Sequence, residues 1–424
     1  MINKLRSILF AQTTRDTLIS FTGLATIAVV GMIFTVITAR AFGPATFGLF
    51  SALNAIVTLL SSIGDFGISA ALVNFIPKLT DRRNVLISTT FWFQITVSVI
   101  LALALIAIGT NPGLVVPGSK AVHFVIIGTL TGFYILQGFA LGIFNAEKKF
   151  FQASFIQGFD STVKLAIVAG LFYTKNLNIE LALLANVISC FLSLIYGFSG
   201  EFRNIRPIFP RAQIAEILKF SKWVALSRVF SVMISRVDIL LLNLMVGGFE
   251  AGIFAAASRI TLLFALLVSS LGAVTSPRFS AFKQHHEIIA YLKKVSLVVV
   301  GVSIFMLLTM LIADPLVRIV FGEKFVASIP IFQALTVAMI PFLFTVVTVP
   351  PLLYSFNQPQ FLAKITIIQT VVLVGLDIVL IPTYHGFGPA ISLAVSNLIV
   401  FGASAFKLFT LLQPPPPALV RKAA

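Results

Sequence analysis

The sequence is poor in cysteine, in charge and above all in acid. Cys190 is the one cysteine among 424 residues and lies inside an apolar run, which excludes a disulfide framework. Charged residues make up 10% of the chain, and Asp and Glu number 14 against 30 Lys and Arg. A soluble globular protein of this length carries far more charge. No nucleotide-binding phosphate loop is present, so the chain does not itself hydrolyse ATP. No Cys-His or Ser-His-Asp constellation appears, so neither catalysis nor a cofactor is expected. His285-His286-Glu287 has the residue types of a metal cluster, but matching ligands at zinc spacing are missing and no metal is expected.

What fills the chain is apolar sequence. Hydrophobic residues make up 58%, and the mean hydropathy is +1.05. The apolar runs are about 20 residues long, the length of a membrane-crossing helix, and not the alternating ten-residue segments of a barrel. Twelve such runs are centred near residues 28, 60, 97, 132, 162, 188, 232, 263, 303, 340, 371 and 400. The basic stretch Lys4, Arg6 and Arg15 precedes a first run too long for a signal-peptide core, so that run is expected to stay as a span. The net charge of +16 reads as the positive-inside rule. With the N-terminus in the cytoplasm, most loop Lys and Arg fall inside, and Arg40, Lys120, Lys175, Arg318 and Lys324 fall outside. Both termini are therefore expected in the cytoplasm. The outer loops are short, and none offers the paired carboxylates of a catalytic domain.

The longest connection, roughly 201–218, is basic, contains Pro207 and Pro210, and divides the chain into 1–210 and 211–424. An internal repeat supports the division. Gly43 and Gly48-Leu49-Phe50-Ser51-Ala52 match Gly247 and Gly252-Ile253-Phe254-Ala255-Ala256. Phe151-Gln152-Ala153 resembles Phe361-Leu362-Ala363, and Ala185-Asn186 resembles Ser396-Asn397. Six spans per half is an even number, so both halves start on the same side and the repeat is parallel. Transporters built this way hold substrate near the midplane between the halves and alternate access by rocking.

Residues 219–259 hold the densest charges within apolar sequence: Arg228, Arg236 and Asp238 in span 7, and Arg259 in span 8. An ionisable group at membrane depth costs about 2.5–3.5 kcal/mol even on lenient scales, and usually faces a bundle interior or wet cavity. At about 100° per residue, Ser231, Ser235, Arg236, Asp238 and Asn243 lie within about 80° of Arg228. Phe230, Met233, Ile234, Val237, Leu240, Leu241 and Leu244 lie opposite. The polar face either lines a cavity for an anion or supplies an Arg–Asp pair that fixes packing. Span 5 offers Asp160 and Lys164 at i,i+4, again either cavity groups or a self-neutralised pair. Asp65, Asp160, Asp238 and Asp377 are candidates for coupling to H+ or Na+, and interhelical pairing accounts for each equally well. Lys364 and Lys407 lie near span ends, where they can snorkel to the interface. Gly128, Gly132, Gly138 and Gly142 in span 4 permit close helix approach. Pro341 and Pro350-Pro351 in span 10 act as a hinge or a kink.

Three stretches carry a resemblance. Arg40-Ala-Phe-Gly-Pro-Ala-Thr-Phe-Gly-Leu-Phe is one. Asp238-Ile-Leu-Leu-Leu with Ala251-Gly-Ile-Phe-Ala-Ala-Ala-Ser-Arg259 is the second, and Leu380-Ile-Pro-Thr-Tyr-His-Gly-Phe-Gly-Pro-Ala-Ile the third. Together they resemble the polysaccharide-biosynthesis flippases (Wzx-like, O-antigen translocase type) of the multidrug/oligosaccharidyl-lipid/polysaccharide exporter superfamily. In the third stretch His385 is inserted where the family usually has Tyr-Gly, and Pro389 replaces a small residue. The resemblance spans essentially the whole chain.

The resemblance implies an all-α polytopic membrane protein, with twelve transmembrane helices in two parallel-repeat six-helix bundles, MATE-like in plan. It implies an oligosaccharide on a polyprenyl diphosphate as cargo, moved from the inner to the outer leaflet of the cytoplasmic membrane for surface polymers such as O-antigen or capsule. It implies a cationic cavity as well, for which Arg228, Arg236, Arg259 and Lys164 are this chain's substrate-binding candidates. Polymerase and glycosyltransferase machinery are the expected protein partners. Two other readings compete. A cation-coupled multidrug antiporter of the same superfamily should place acids in the cavity, whereas spans 7 and 8 carry three arginines to one aspartate. A membrane polymerase or ligase should carry a large outer loop with catalytic charges. A lipid II flippase is a near neighbour of the first reading, but that group typically adds two further helices.

Overall fold

The computed structural model describes residues 12–78, 82–199, 205, 211–282 and 284–413. Among them are thirteen α-helices and no strand. Two compact units form, Met1–Ala255 with Val320–Lys324, and Ala256–Ile319 with Phe325–Ala424. The first unit contains α1 (Gln12–Gly64), α2 (Ile68–Phe75), α3 (Arg83–Ile108), α4 (Ala121–Ala146), α5 (Phe150–Tyr173), α6 (Ile179–Phe198) and α7 (Arg211–Met245). The chain passes into the second unit within α8 (Gly248–Ala281). There it forms α9 (His285–Thr309), α10 (Ala313–Val320), α11 (Ser328–Pro350), α12 (Pro359–Tyr384) and α13 (Phe387–Leu412).

Among the described residues ten helices are long and apolar enough to cross a membrane, which makes this a multi-pass membrane protein. The expected count of twelve goes beyond these ten. α1 is continuous in hydrogen bonding but is two helices joined at a kink, and α7, with five charges between Lys219 and Asp238, is not among the ten. The exposed faces are apolar, as a lipid-facing helix requires. On α3 these include Val99, Ile100 and Leu103, and on α9 Leu297, Ile304, Phe305 and Leu308.

The kink in α1 is written in its residues. Gly43 has φ 71 and ψ 175, outside the helical region, and Pro44 restarts the helix. Proline suits a first helical position because its missing N–H has no intrahelical partner there. Gly247, the repeat partner of Gly43, also has positive φ (116), so both copies of the motif turn on a glycine. The two helices that follow then meet backbone to backbone. A Cβ on Gly48 would collide with the Gly248 carbonyl, and one on Gly252 with the Pro44 carbonyl. The sequence repeat is therefore a self-contact: each copy supplies the glycine that the other packs on.

α1 ends at a second break, Gly64-Asp65-Phe66-Gly67, where Phe66 and Gly67 both take positive φ (48 and 69). The short α2 that follows buries Ile68, Ala71 and Leu72 against Ile87 of α3, Phe139 and Ile143 of α4 and Ile217 of α7. Glycines allow the approach. A Cβ on Gly67 would stand 2.6 Å from the Ser221 carbonyl, and one on Gly142 would stand 2.9 Å from Ser69 Cα. Gly128 fits similarly against the Ala102 carbonyl of α3, 3.0 Å from its ideal Cβ. The expected role of the α4 glycines in close packing is thus what they do. Where the α4–α5 turn meets the start of α3, Glu147 accepts from Arg83 and from Lys149 (2.8 Å). Burial pushes its carboxyl up, and the hydrogen bonds and charges of Lys149 and Arg83 outweigh that, holding it below the ordinary value.

In the second unit, polar side chains join apolar helices. Asn397 donates to the Ala338 carbonyl (3.0 Å) and accepts from Gln369 (3.0 Å), and Thr348 and Ser404 share a buried hydrogen bond (2.7 Å). α11 continues through Pro341 and passes into a π-helical turn at Pro351–Ser355, so the irregularity lies at the Pro350-Pro351 pair. Between α12 and α13, His385 caps α12 with φ 51 and ψ −128, a conformation that favours glycine.

Three outcomes are expected from thermal melting of purified protein. Gly252→Val, which drives a branched side chain onto backbone with nothing flexible to yield, should destabilise by about 1–3 kcal/mol. His385→Gly should raise the melting temperature, since a non-glycine residue there costs on the order of 1 kcal/mol. Glu147→Gln should melt about 2 °C lower near neutral pH. A carboxyl with a depressed native pKa stabilises above its unfolded pKa and loses that contribution as pH falls through the native one. The gap between Glu147→Gln and wild type should therefore close on acidification below the usual carboxylate range.

Candidate functional site

The break after α1 builds a polar node inside the first unit. Asp65 is 4% exposed. Its Oδ1 accepts from the Ser69 hydroxyl and from the Ser69 backbone N–H (3.3 Å). Its Oδ2 accepts from Arg228 Nη1 at 3.0 Å. The left-handed residues Phe66 and Gly67 interrupt the helix, and Ser69, four positions on, reaches the same carboxylate. Gln94 of α3 donates to the Asp65 carbonyl (3.0 Å), and the Ser69 hydroxyl also reaches the Gly138 carbonyl of α4 (3.1 Å). Four helices and the break thus hold one carboxylate. Arg228 differs from it in access, because its side chain is 48% exposed.

A second node lies between α5 and α6. Asp160 is 6% exposed and accepts from Ser189 at Oδ1 (2.7 Å) and from Lys164 at Oδ2 (3.3 Å). Lys164 also sits over the Phe34 ring, 5.9 Å from its centroid. The sequence spacing of Asp160 and Lys164 pointed to this pair. The Asp65–Arg228 pair, between residues 163 positions apart, was not foreseen. Sequence reasoning leaves each open to interhelical pairing or to a ligand, Arg228 an anion and Asp65 a cation, without joining the two, and the structure brings them together.

On α7 the polar side is the open one. Arg228, Ser231 and Ser235 are exposed, Arg236 is half-buried, and Asp238 and Asn243 are buried. The opposite residues, expected to face lipid, are mostly half-buried, with Leu244 exposed. The reason is packing: α7 lies against α1, α2 and α3. Arg259 and Asp377 belong to the second unit, Arg259 half-buried on α8 and Asp377 fully buried on α12.

Several contributors escaped sequence reasoning. Ser69 had a usable signal, a hydroxyl four residues after an aspartate at a Gly-flanked break. Ser189 and Gln94 had none. Neither did the cluster of Lys120, His123 and Glu180, where Glu180 meets Lys120 Nζ (3.0 Å) and His123 Nε2 (3.3 Å) across the ends of α4 and α6.

Residues 13–283 match the family model described as polysaccharide biosynthesis protein. The chain belongs to that family. Among curated relatives of this family member, the lipopolysaccharide biosynthesis protein WzxC of Escherichia coli K12 is 24% identical, over 75% of this chain and 65% of WzxC. The chain thus spans somewhat less than two thirds of that relative. The probable low-salt glycan biosynthesis flippase Agl15 of Haloferax volcanii is 22% identical, over 84% of this chain and 75% of Agl15. Among solved structures, the lipid II flippase MurJ in an inward closed conformation superposes with a TM-score of 0.74, at 16% identity, covering 92% of this chain and 87% of MurJ. An inward-facing multidrug resistance MATE family transporter of the MOP superfamily superposes at 0.70, also at 16% identity, covering 93% and 98%. These superpositions establish the fold that this member of the family shares with both. The family resemblance drawn from the motifs is borne out.

Proposed function

We propose that this protein moves a polyprenyl-diphosphate-linked oligosaccharide from the inner to the outer leaflet of the cytoplasmic membrane, supplying a surface polysaccharide. The observation that carries the reading is Arg228: a guanidinium in an otherwise apolar stretch of α7, held at one point by a buried carboxylate and half exposed. A planar guanidinium suits a phosphate because it binds bidentately. Membership of the polysaccharide biosynthesis family and the name of Agl15 support the cargo class.

In this reading the diphosphate meets Arg228 while the lipid tail stays in the bilayer. Arg236, Arg259 and Lys164 are the further cations for the headgroup, and Asp65, Asp160, Asp238 and Asp377 are the carboxylates through which H+ or Na+ would act. Twelve spans in two six-helix halves, 1–210 and 211–424, would alternate access by rocking, with both termini in the cytoplasm. Glycosyltransferases that build the cargo and a polymerase that consumes it are the corresponding partners. The second reading, a cation-coupled multidrug antiporter, draws on the shared fold with the MATE family transporter.

Leaflet sidedness of the lipid-linked oligosaccharide in cells lacking the protein separates these readings. Inner-leaflet accumulation, reversed by the wild type and not by a well-expressed Arg228→Ala, is expected. Sidedness unchanged by the deletion, together with lost resistance to toxic cations, would overturn the flippase reading in favour of the antiporter.

A further inference from the structure

Arg228 and Lys164 are held in the same way. In each node one carboxylate oxygen is braced by a serine and the other meets the cation: Ser69 and Arg228 on Asp65, Ser189 and Lys164 on Asp160. The cations differ in access. Lys164 is 16% exposed, four residues from its partner on one helix and against the Phe34 ring. Arg228 is 48% exposed and reaches across from a different helix to a carboxylate that is 5% exposed.

This arrangement bears on how an anion can bind. A carboxylate 3.0 Å from the guanidinium cancels most of its attraction for an approaching anion, so this node is no bare cationic site. An anion must instead take Arg228 from Asp65. Arg228 has five N–H donors and commits one of them, Nη1, to Asp65. A diphosphate offers several oxygens at spacings that accept a guanidinium bidentately, which the single contact with Asp65 does not match. The exchange keeps the Ser69 donors on Oδ1 but strips Oδ2 of its cation, and that cost is what a weakly competing anion fails to meet.

We infer that Asp65 is an internal stand-in for the cargo's phosphate, holding Arg228 in the empty protein and yielding it to a diphosphate. This rests on the reading of the cargo as a polyprenyl diphosphate, and it adds a selection step to it. A headgroup with a single negative charge competes poorly with Asp65, whereas a diphosphate displaces it. The empty protein keeps both charges neutralised within the membrane, where an uncompensated one would be costly.

The test is equilibrium binding of farnesyl diphosphate, a short polyprenyl diphosphate, to the purified full chain in phosphatidylcholine nanodiscs. Farnesyl monophosphate is measured beside it. Wild type should prefer the diphosphate. Asp65→Asn should bind both ligands about tenfold more tightly or better, since a competitor worth at least that factor is removed. It should also narrow the preference between them. Arg228→Ala should lose binding, and the double variant should behave as Arg228→Ala alone. Binding that depends on Arg228 but is unchanged or weakened in Asp65→Asn would overturn the exchange while leaving the cargo reading intact. Absence of binding by both wild type and Asp65→Asn would overturn the cargo reading and the inference with it. Infrared difference spectroscopy on wild type guards against a misfolded variant. Ligand should shift a carboxylate stretching band, and an unshifted band would overturn the exchange.

Discussion

A charge set among apolar helices is costly unless a partner neutralises it, and the first compact unit meets that requirement from within. Asp65 and Arg228 do it across helices, Asp160 and Lys164 within one helix. The serine on each carboxylate satisfies the oxygen that the cation leaves over. An unpaired carboxylate in such a place would be strongly destabilising, whereas a paired and hydrogen-bonded one is tolerated. The break that ends α1 belongs to the same requirement. Around it Ser69 donates to the Asp65 carboxylate, and Gln94 donates to the Asp65 carbonyl beside the Ile68 N–H.

Glycine makes the second constraint. The pair cannot form unless α7 comes close to the break, and it comes close because Gly67 presents no side chain to the Ser221 carbonyl. The repeated motif works similarly at Gly48 and Gly252, whose helices touch through backbone. Lipid supplies no hydrophobic force between helices, so such close packing and a few interhelical hydrogen bonds hold them together. The Asn397 and Thr348 contacts of the second unit are of that second kind.

Much of the architecture was legible in advance because membrane insertion writes it into local composition. Apolar runs about 20 residues long mark helices whatever they pack against. The glycines at 43, 48, 247 and 252 announced a repeat, and the positive φ at two of them follows from residue type. The Asp160–Lys164 pair could be read from i,i+4 spacing. Span counting was less secure where a helix carries many charges, as α7 does, and where two helices run on through a kink, as α1 does.

The sequence by itself determined the class of protein, its long apolar helices and the list of charges set among apolar residues. Each depends on residues that are neighbours along the chain, or on a face repeated every turn. Only the tertiary structure decided which carboxylate meets which cation. The Asp65–Arg228 contact joins positions 163 residues apart, and it arises from how four helices and a break converge. No periodicity within one helix contains that information. The same holds for the exposure of Arg228 beside a buried Asp65: the two residues are equally conspicuous as charges in apolar sequence, and packing alone makes one a support and the other accessible.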